Sequence, residues 1–146
     1  MSDCTAMTFA ALDAVCWRAV PAEAAAAVLA GTVRAGRYNR PGQRTLYMSG
    51  SPEGVAAAMA RYGEADRTIV ALRVSANRLI DLRKGQLCAA LGDDAGRVGE
   101  DWQMALTAGE EPASWRAADR ARALGAHGLI NPSRGLPGAW PVVLFR

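Results

Sequence analysis

Two rhythms of hydrophobic and polar positions run along this chain, one of period two and one of helical period, separated by Gly and Pro. Ala14 to Val20 (AVCWRAV) groups aromatic and β-branched residues around Arg18 and predicts a strand. Pro21-Ala22-Glu23 opens an alanine-rich helical stretch that reaches Leu29 and stops at Gly31. A polar loop, Gly36 to Arg44, then feeds a short strand, Thr45 to Ser49. Ser51-Pro52-Glu53 has the three marks of a helix start: a capping hydroxyl, a proline with no N–H to lose, and an acid at the positive end of the dipole. This helix is expected to run to Tyr62 and end at Gly63.

The second half continues in the same way. Thr68 to Val74 (TIVALRV) predicts a central strand and Leu79 to Leu82 a shorter one. From Gly85 to Ala108 the helical pattern is broken by Gly92, Gly96 and Gly99, predicting short helices with links between them. A helix from Pro112 to Leu124 ends at Gly125, Gly128 to Asn131 is a brief strand, Pro132 to Gly135 a turn, and Val142 to Phe145 a closing strand. Strands and helices are interspersed without the steady alternation of a doubly wound sheet, and several links are too short for a crossover. The expected class is α+β.

Composition sets limits on this picture. A chain of 146 residues with 51% hydrophobic residues suits one domain, residues 1–146, with residues 1–13 as a loose leading segment. The net charge of +3 comes from 17 basic and 14 acidic residues mixed along the chain, which argues against nucleic-acid binding. Cys4, Cys16 and Cys88 are odd in number and lack metal spacing, and the single histidine, His127, excludes a multi-histidine metal site. No apolar run approaches membrane-spanning length and the start lacks signal-peptide regions, so a cytoplasmic protein without membrane contact is expected.

Candidate chemistry concentrates in Gly36-Arg37-Tyr38-Asn39-Arg40-Pro41-Gly42 and the strand that carries Tyr47. Backbone amides and guanidinium groups on such a loop suit a phosphate, and Tyr47 offers an aromatic face. Each residue also has a plain reading: Arg37 as a solvated loop arginine, Tyr47 and Tyr62 as core tyrosines with surface hydroxyls, Ser133 as a turn serine. No GxSxG elbow, GxGxxG fingerprint or phosphate-loop lysine is present, which argues against a serine hydrolase, a Rossmann enzyme and a P-loop protein. Trp17, Trp102 and Trp115 read as core, and Trp140 as core or the lining of a site mouth.

Taken in order, these segments resemble the RES-domain family, named for an arginine, a glutamate and a serine in three successive motifs. Gly36-Arg37-Tyr38-Asn39 through Gly42 with Leu46-Tyr47 matches the first motif, and Ser51-Pro52-Glu53 opening an alanine-rich helix matches the segment after it. Gly125 to Ile130, Pro132-Ser133 and Val142 to Phe145 match the last. The resemblance spans the chain from Trp17 onward. It implies a single compact domain like that of ADP-ribosyltransferases, with a mixed or antiparallel split sheet and flanking helices. It implies NAD+ as substrate, with Arg37, Tyr38, Asn39, Tyr47, Tyr62 and Ser133 binding it and Arg37, Tyr47 and Ser133 catalytic. It also implies a toxin with a helix-turn-helix antitoxin as partner, and ADP-ribose passed to a protein, water or phosphate.

One element departs from the family pattern. The glutamate is expected on the helix after Tyr47, at or beside Ala58, where the sequence reads Val55-Ala56-Ala57-Ala58-Met59-Ala60. Glu53 lies roughly 140° away around the helix and Glu64 follows Gly63, so neither substitutes cleanly. A carboxylate there suits the cation-like ribose of glycosidic cleavage. Three alternatives follow: a natural alteration with weaker or more selective chemistry, an acid delivered from elsewhere, or an Ala58 introduced by design. A non-catalytic binding module is the reading that the missing acid favours.

Overall fold

The computed structural model describes residues 9–21, 29–62, 67–83, 91, 94, 97–131 and 140–145, the side chains of 61 and 62 excepted. Five strands and three helices follow in the order β1 (Ala10–Pro21), β2 (Thr45–Ser49), α1 (Pro52–Tyr62), β3 (Arg67–Asp81), α2 (Trp102–Thr107), α3 (Ala113–Ala123), β4 (Gly128–Ile130) and β5 (Pro141–Phe145). The strands close into a barrel in the order β1-β2-β5-β4-β3, with β3 returning to β1. Among the described strands, only the β3–β4 pair is parallel. The class is α+β, but the sheet is a closed barrel rather than the expected split sheet. Closure follows from β5 lying between β2 and β4 while the long β1–β3 ladder bridges the remaining gap.

That ladder revises three boundaries. β1 begins at Ala10, so Ala10 to Asp13 belong to a strand and not to a loose leader. It runs through Pro21, which ends a strand instead of opening a helix; residues 22–28 lie outside the described set. The two expected strands over Thr68–Val74 and Leu79–Leu82 are one, because β1 supplies partners across the polar stretch between them: Asp13 opposite Ser75, Leu12 opposite Ala76, and after a register shift Ala10 opposite Leu79. Cross-strand pairing overrides the local polar break.

β5 shows how the barrel divides its apolar residues. Val142 joins Cys16, Leu46, Met48 and Val74 in one cluster, which draws on four strands and fills the barrel. Its neighbour Val143 joins Tyr38, Ile80, Leu82 and Leu129 beneath Ala117, Ala118 and Ala121 of α3, on the outer face. The two-residue strand period sends alternate residues to opposite faces, and α3 covers the outer one. Cys16 is fully buried and burial pushes its thiol pKa up, so it behaves as a core residue. Cys4 and Cys88 lie outside the described residues.

The helices start as their sequences direct. The Ser51 hydroxyl accepts from the Gly54 N–H at 3.1 Å ahead of Pro52. Asp101 caps α2 by accepting from the N–H groups of Gln103 and Met104. α3 carries Arg120 and Arg122 in its last turn and stops at Gly125, whose φ of 86° is left-handed. Between Gly85 and Ala108, α2 is the one helix longer than a turn among the described residues. No described helix is long and apolar enough to cross a membrane.

Candidate functional site

The Arg37 loop is built around Asn39 and Tyr47. Asn39 is fully buried and its amide nitrogen donates to the carbonyls of Arg34 (2.8 Å), Arg40 (3.1 Å) and Gln43 (3.2 Å). Its amide oxygen accepts from the Tyr47 hydroxyl at 2.6 Å, and that hydroxyl accepts from the Tyr38 N–H at 2.9 Å. One phenol thus holds two points of the loop. Gly36 is required by this closeness: a Cβ there would lie 2.7 Å from both the Tyr47 hydroxyl and the Asn39 amide oxygen.

α3 supplies the floor. The Ser114 hydroxyl donates to the Arg37 carbonyl, and the Trp115 indole N–H donates to the Gly36 carbonyl at 2.7 Å. Arg122 donates to the Tyr38 carbonyl at 3.1 Å while its guanidinium lies 4.0 Å over the Phe145 ring. Arg40 grips α3 from the loop side, 2.6 Å from both Glu111 and Asp119 and 5.3 Å above the Trp115 ring. Named side-chain donors thus hold the carbonyls of Arg34, Gly36, Arg37, Tyr38, Arg40 and Gln43.

Arg37 itself is half-buried and points away from this scaffold. Its Nη1 donates to the carbonyls of Val98 (2.9 Å) and Glu100 (2.7 Å), which commits both hydrogens of that nitrogen. Among the described residues, Nε and Nη2 have no partner, and these form the edge of the fork that pairs with a phosphate or carboxylate. Burial pushes the Tyr47 phenol above its ordinary range, while the nearby Arg122 and Arg37 charges pull the other way. Two guanidinium groups therefore bear on one neutral phenol. Burial in turn lowers the pKa of Arg122 from its usual value.

The structure sorts the expected site residues. Arg37, Tyr38, Asn39 and Tyr47 come together, but in different capacities. Tyr38 is 4% exposed and packs in the outer-face core, and Asn39 spends its amide on the loop, so neither presents its side chain to a ligand. Tyr47 uses its hydroxyl on the loop as well. Tyr62 ends α1 with its side chain outside the described residues, and Ser133 and the Pro132–Gly135 turn also lie outside them. Ala58 is half-buried on α1, near the face carrying buried Val55, whereas Glu53 is exposed on the opposite side. α1 lies against β1, β2 and β3, so a side chain at position 58 borders the barrel and Glu53 does not. Glu64 is outside the described residues. His127 is exposed, held by backbone bonds to Arg78 and Phe145.

Sequence reasoning missed Ser114, Trp115 and Arg122 as partners of the loop. Trp115 reads as core and is 8% exposed, yet its indole N–H makes it a fastener as well. A buried helix start bearing both a hydroxyl and an indole was the available signal.

Comparison with known proteins agrees with this architecture. The chain matches the crystal structure of the M. tuberculosis MbcT-MbcA toxin–antitoxin complex with a TM-score of 0.61 and 18% identity, covering 93% of this chain and 75% of that one. At that identity the likeness is one of fold. No curated protein matches in sequence. The family model described as the RES domain matches residues 15–146, a span that takes in the Arg37 loop, α3, the later part of β1 and the whole of β2 to β5, and the chain belongs to the RES-domain family.

Proposed function

We propose that this protein is the toxin of a toxin–antitoxin pair and that it binds NAD+ through Arg37. The supporting observation is the free Nε/Nη2 edge of a guanidinium whose other nitrogen is fixed by Val98 and Glu100. An arginine held in this way offers a bidentate edge to a phosphate of the dinucleotide at little cost in side-chain entropy. The reaction proposed is cleavage of the nicotinamide–ribose bond. The bonding pair leaves with nicotinamide, and the ribose carbon takes a new bond from a protein side chain, water or phosphate. Tyr47 then serves by holding the loop, with its ring assigned to the nicotinamide, and Ser133 is assigned to a ribose hydroxyl or the carboxamide. The partner proposed is an antitoxin, by analogy with the toxin–antitoxin complex to which the fold is similar, and of the helix-turn-helix type that the family resemblance implies.

A second reading follows from Ala58. With alanine in place of a carboxylate at position 58, the domain binds NAD+ without cleaving it. One experiment separates the two. Purified protein, its Arg37→Ala variant and its Ala58→Glu variant are incubated with NAD+, and released nicotinamide and bound NAD+ are both measured. The enzyme reading expects nicotinamide release that Ala58→Glu increases and Arg37→Ala reduces by at least about tenfold. Binding without release in the parent and in Ala58→Glu selects the module. Absence of binding in all three rejects NAD+ as ligand.

A further inference from the structure

Four of the chain's 14 acidic residues and none of its 17 basic ones fall between Glu100 and Glu111, in a protein whose net charge is +3. The middle of this stretch is α2, which buries none of its six residues although Trp102, Met104 and Leu106 are large and apolar. Met104 is 64% exposed, more than any other large hydrophobic among the described residues, and Leu106 is 40% exposed. A helix this short is far below the roughly 12–15 residues that are even marginal alone in water, and helices in proteins draw most of their stability from packing an apolar face.

α2 is held by its ends instead. Asp101 caps it by accepting from the Gln103 and Met104 N–H groups, and the Glu110 N–H donates to the Ala105 carbonyl at 2.8 Å. A turn of about 100° per residue puts Trp102, Ala105 and Leu106 on one side of the helix and Met104 on the other. Trp102 and Ala105 line a groove whose far wall is Pro112 and Ala113 at the start of α3. Glu100, Asp101 and Glu110 line the same groove. Arg97 pairs with Glu100 and Arg40 with Glu111, whereas neither Asp101 nor Glu110 is in an ion pair.

Apolar groups open to solvent, beside a groove with two uncommitted carboxylates, set the chemistry of the occupant. Such carboxylates repel a nucleic-acid backbone and an anionic bilayer alike. They suit a protein segment with apolar anchors between lysines or arginines, and an amphipathic helix laid in a groove presents these together. We propose that α2 and its groove dock a basic amphipathic segment of a partner protein. Its apolar side chains lie over Leu106 and into the groove beside Trp102, with Met104 at the outer border, and its cations meet Asp101 and Glu110. The surface adjoins the Arg37 loop. The Glu100 carbonyl that accepts from Arg37 immediately precedes Asp101, and Ser114, which donates to the Arg37 carbonyl, also lines the groove. Docking here is independent of what Arg37 binds; within the toxin–antitoxin reading, the antitoxin is the occupant.

The test titrates the whole protein with a helical peptide of about 14 residues, leucine on one face and lysine on the other, and with its glutamate counterpart. Binding is read by fluorescence anisotropy, and helix content by circular dichroism. The lysine peptide is expected to bind at least about tenfold more tightly than the glutamate one. Leu106→Asn is expected to weaken the lysine peptide about tenfold, and Glu110→Lys to narrow the gap between the two peptides. Leu124→Asn, 38% exposed at the opposite end of α3, is expected to leave both unchanged. Should Leu106→Asn lose α2, Glu110→Lys carries the test, because it leaves the helix and its cap untouched. Absence of binding overturns the proposal, as does equal binding of the two peptides. So does an affinity in Leu106→Asn and Glu110→Lys that matches Leu124→Asn. NAD+ binding measured on the same samples is expected to persist in all three variants, and its persistence alongside such a failure leaves the Arg37 reading standing.

Discussion

At the residue scale, Tyr47 does more for the loop than for any ligand. Its hydroxyl donates to Asn39 and accepts from the Tyr38 N–H, so a Tyr47→Phe change strands two buried polar groups at once. The expected cost is about 1–3 kcal/mol, read as a lower urea midpoint with an unchanged slope. The same residue sets an alkaline limit. Burial raises the folded phenol above its ordinary value near 10, so the unfolded chain ionises first as pH rises. The stabilisation is complete below pH about 10 and is lost above it. Tyr47→Phe should flatten stability against pH in that window, measured by denaturant midpoints from pH 8 to 11. The sequence showed that Tyr47 follows a Gly-Arg-Tyr-Asn loop. It did not show that the phenol closes that loop, because hydrogen bonding across eight residues depends on how far the strand carries the ring back over the turn.

At the scale of elements, the loop and α3 act as one unit. Arg40 joins them through Glu111 and Asp119, and the bond to Arg40 holds the Glu111 carboxyl below its usual pKa. A depressed folded value means that the contribution is present above the ordinary glutamate value of about 4.3 and fades as pH falls below it. Both partners are more than a third exposed, so solvent screening keeps the effect to no more than about 1 kcal/mol. Glu111→Gln should reduce the loss of stability between pH 5 and pH 3, followed by urea melts at each pH. α3 itself was legible from Pro112 at its start to Gly125 at its end, and so were β2, α1, β4 and β5, because their signals are local. The union of Thr68–Val74 with Leu79–Leu82 was not, since it depends on β1 partners some sixty residues away. Of the candidate site, the meeting of the Arg37 loop with Tyr47 was legible from their order, while the Pro132-Ser133 turn lies outside the described residues. Which side chains face a ligand was not: Tyr38 and Asn39 carry the motif yet are buried as scaffold.

At the scale of the molecule, closure depends on two thin joints. β1 meets β2 at a single register pair, Trp17 with Ser49, and β4 contributes only three residues between β3 and β5. Gly128 makes the second joint possible, because a Cβ there would run into the Val143 carbonyl of the neighbouring strand. Gly128→Ala should cost more than about 3 kcal/mol or prevent folding, whereas Gly99→Ala, with open space around its added methyl, should be close to neutral. Circular dichroism melts of the two variants check this.

The position of β5 has a consequence for how the protein comes into being. Pro141–Phe145 is made after the other described strands, yet it takes an interior place between β2 and β4. A nascent chain that has not reached Phe145 leaves both neighbours with bare edges, and the row that joins Tyr47 to Leu129 lacks Val143 at its middle. For a protein proposed to poison its own cell, synthesis therefore keeps its own timetable. On the proposed reading, a chain interrupted before Phe145 has not yet closed the barrel that carries the Arg37 loop.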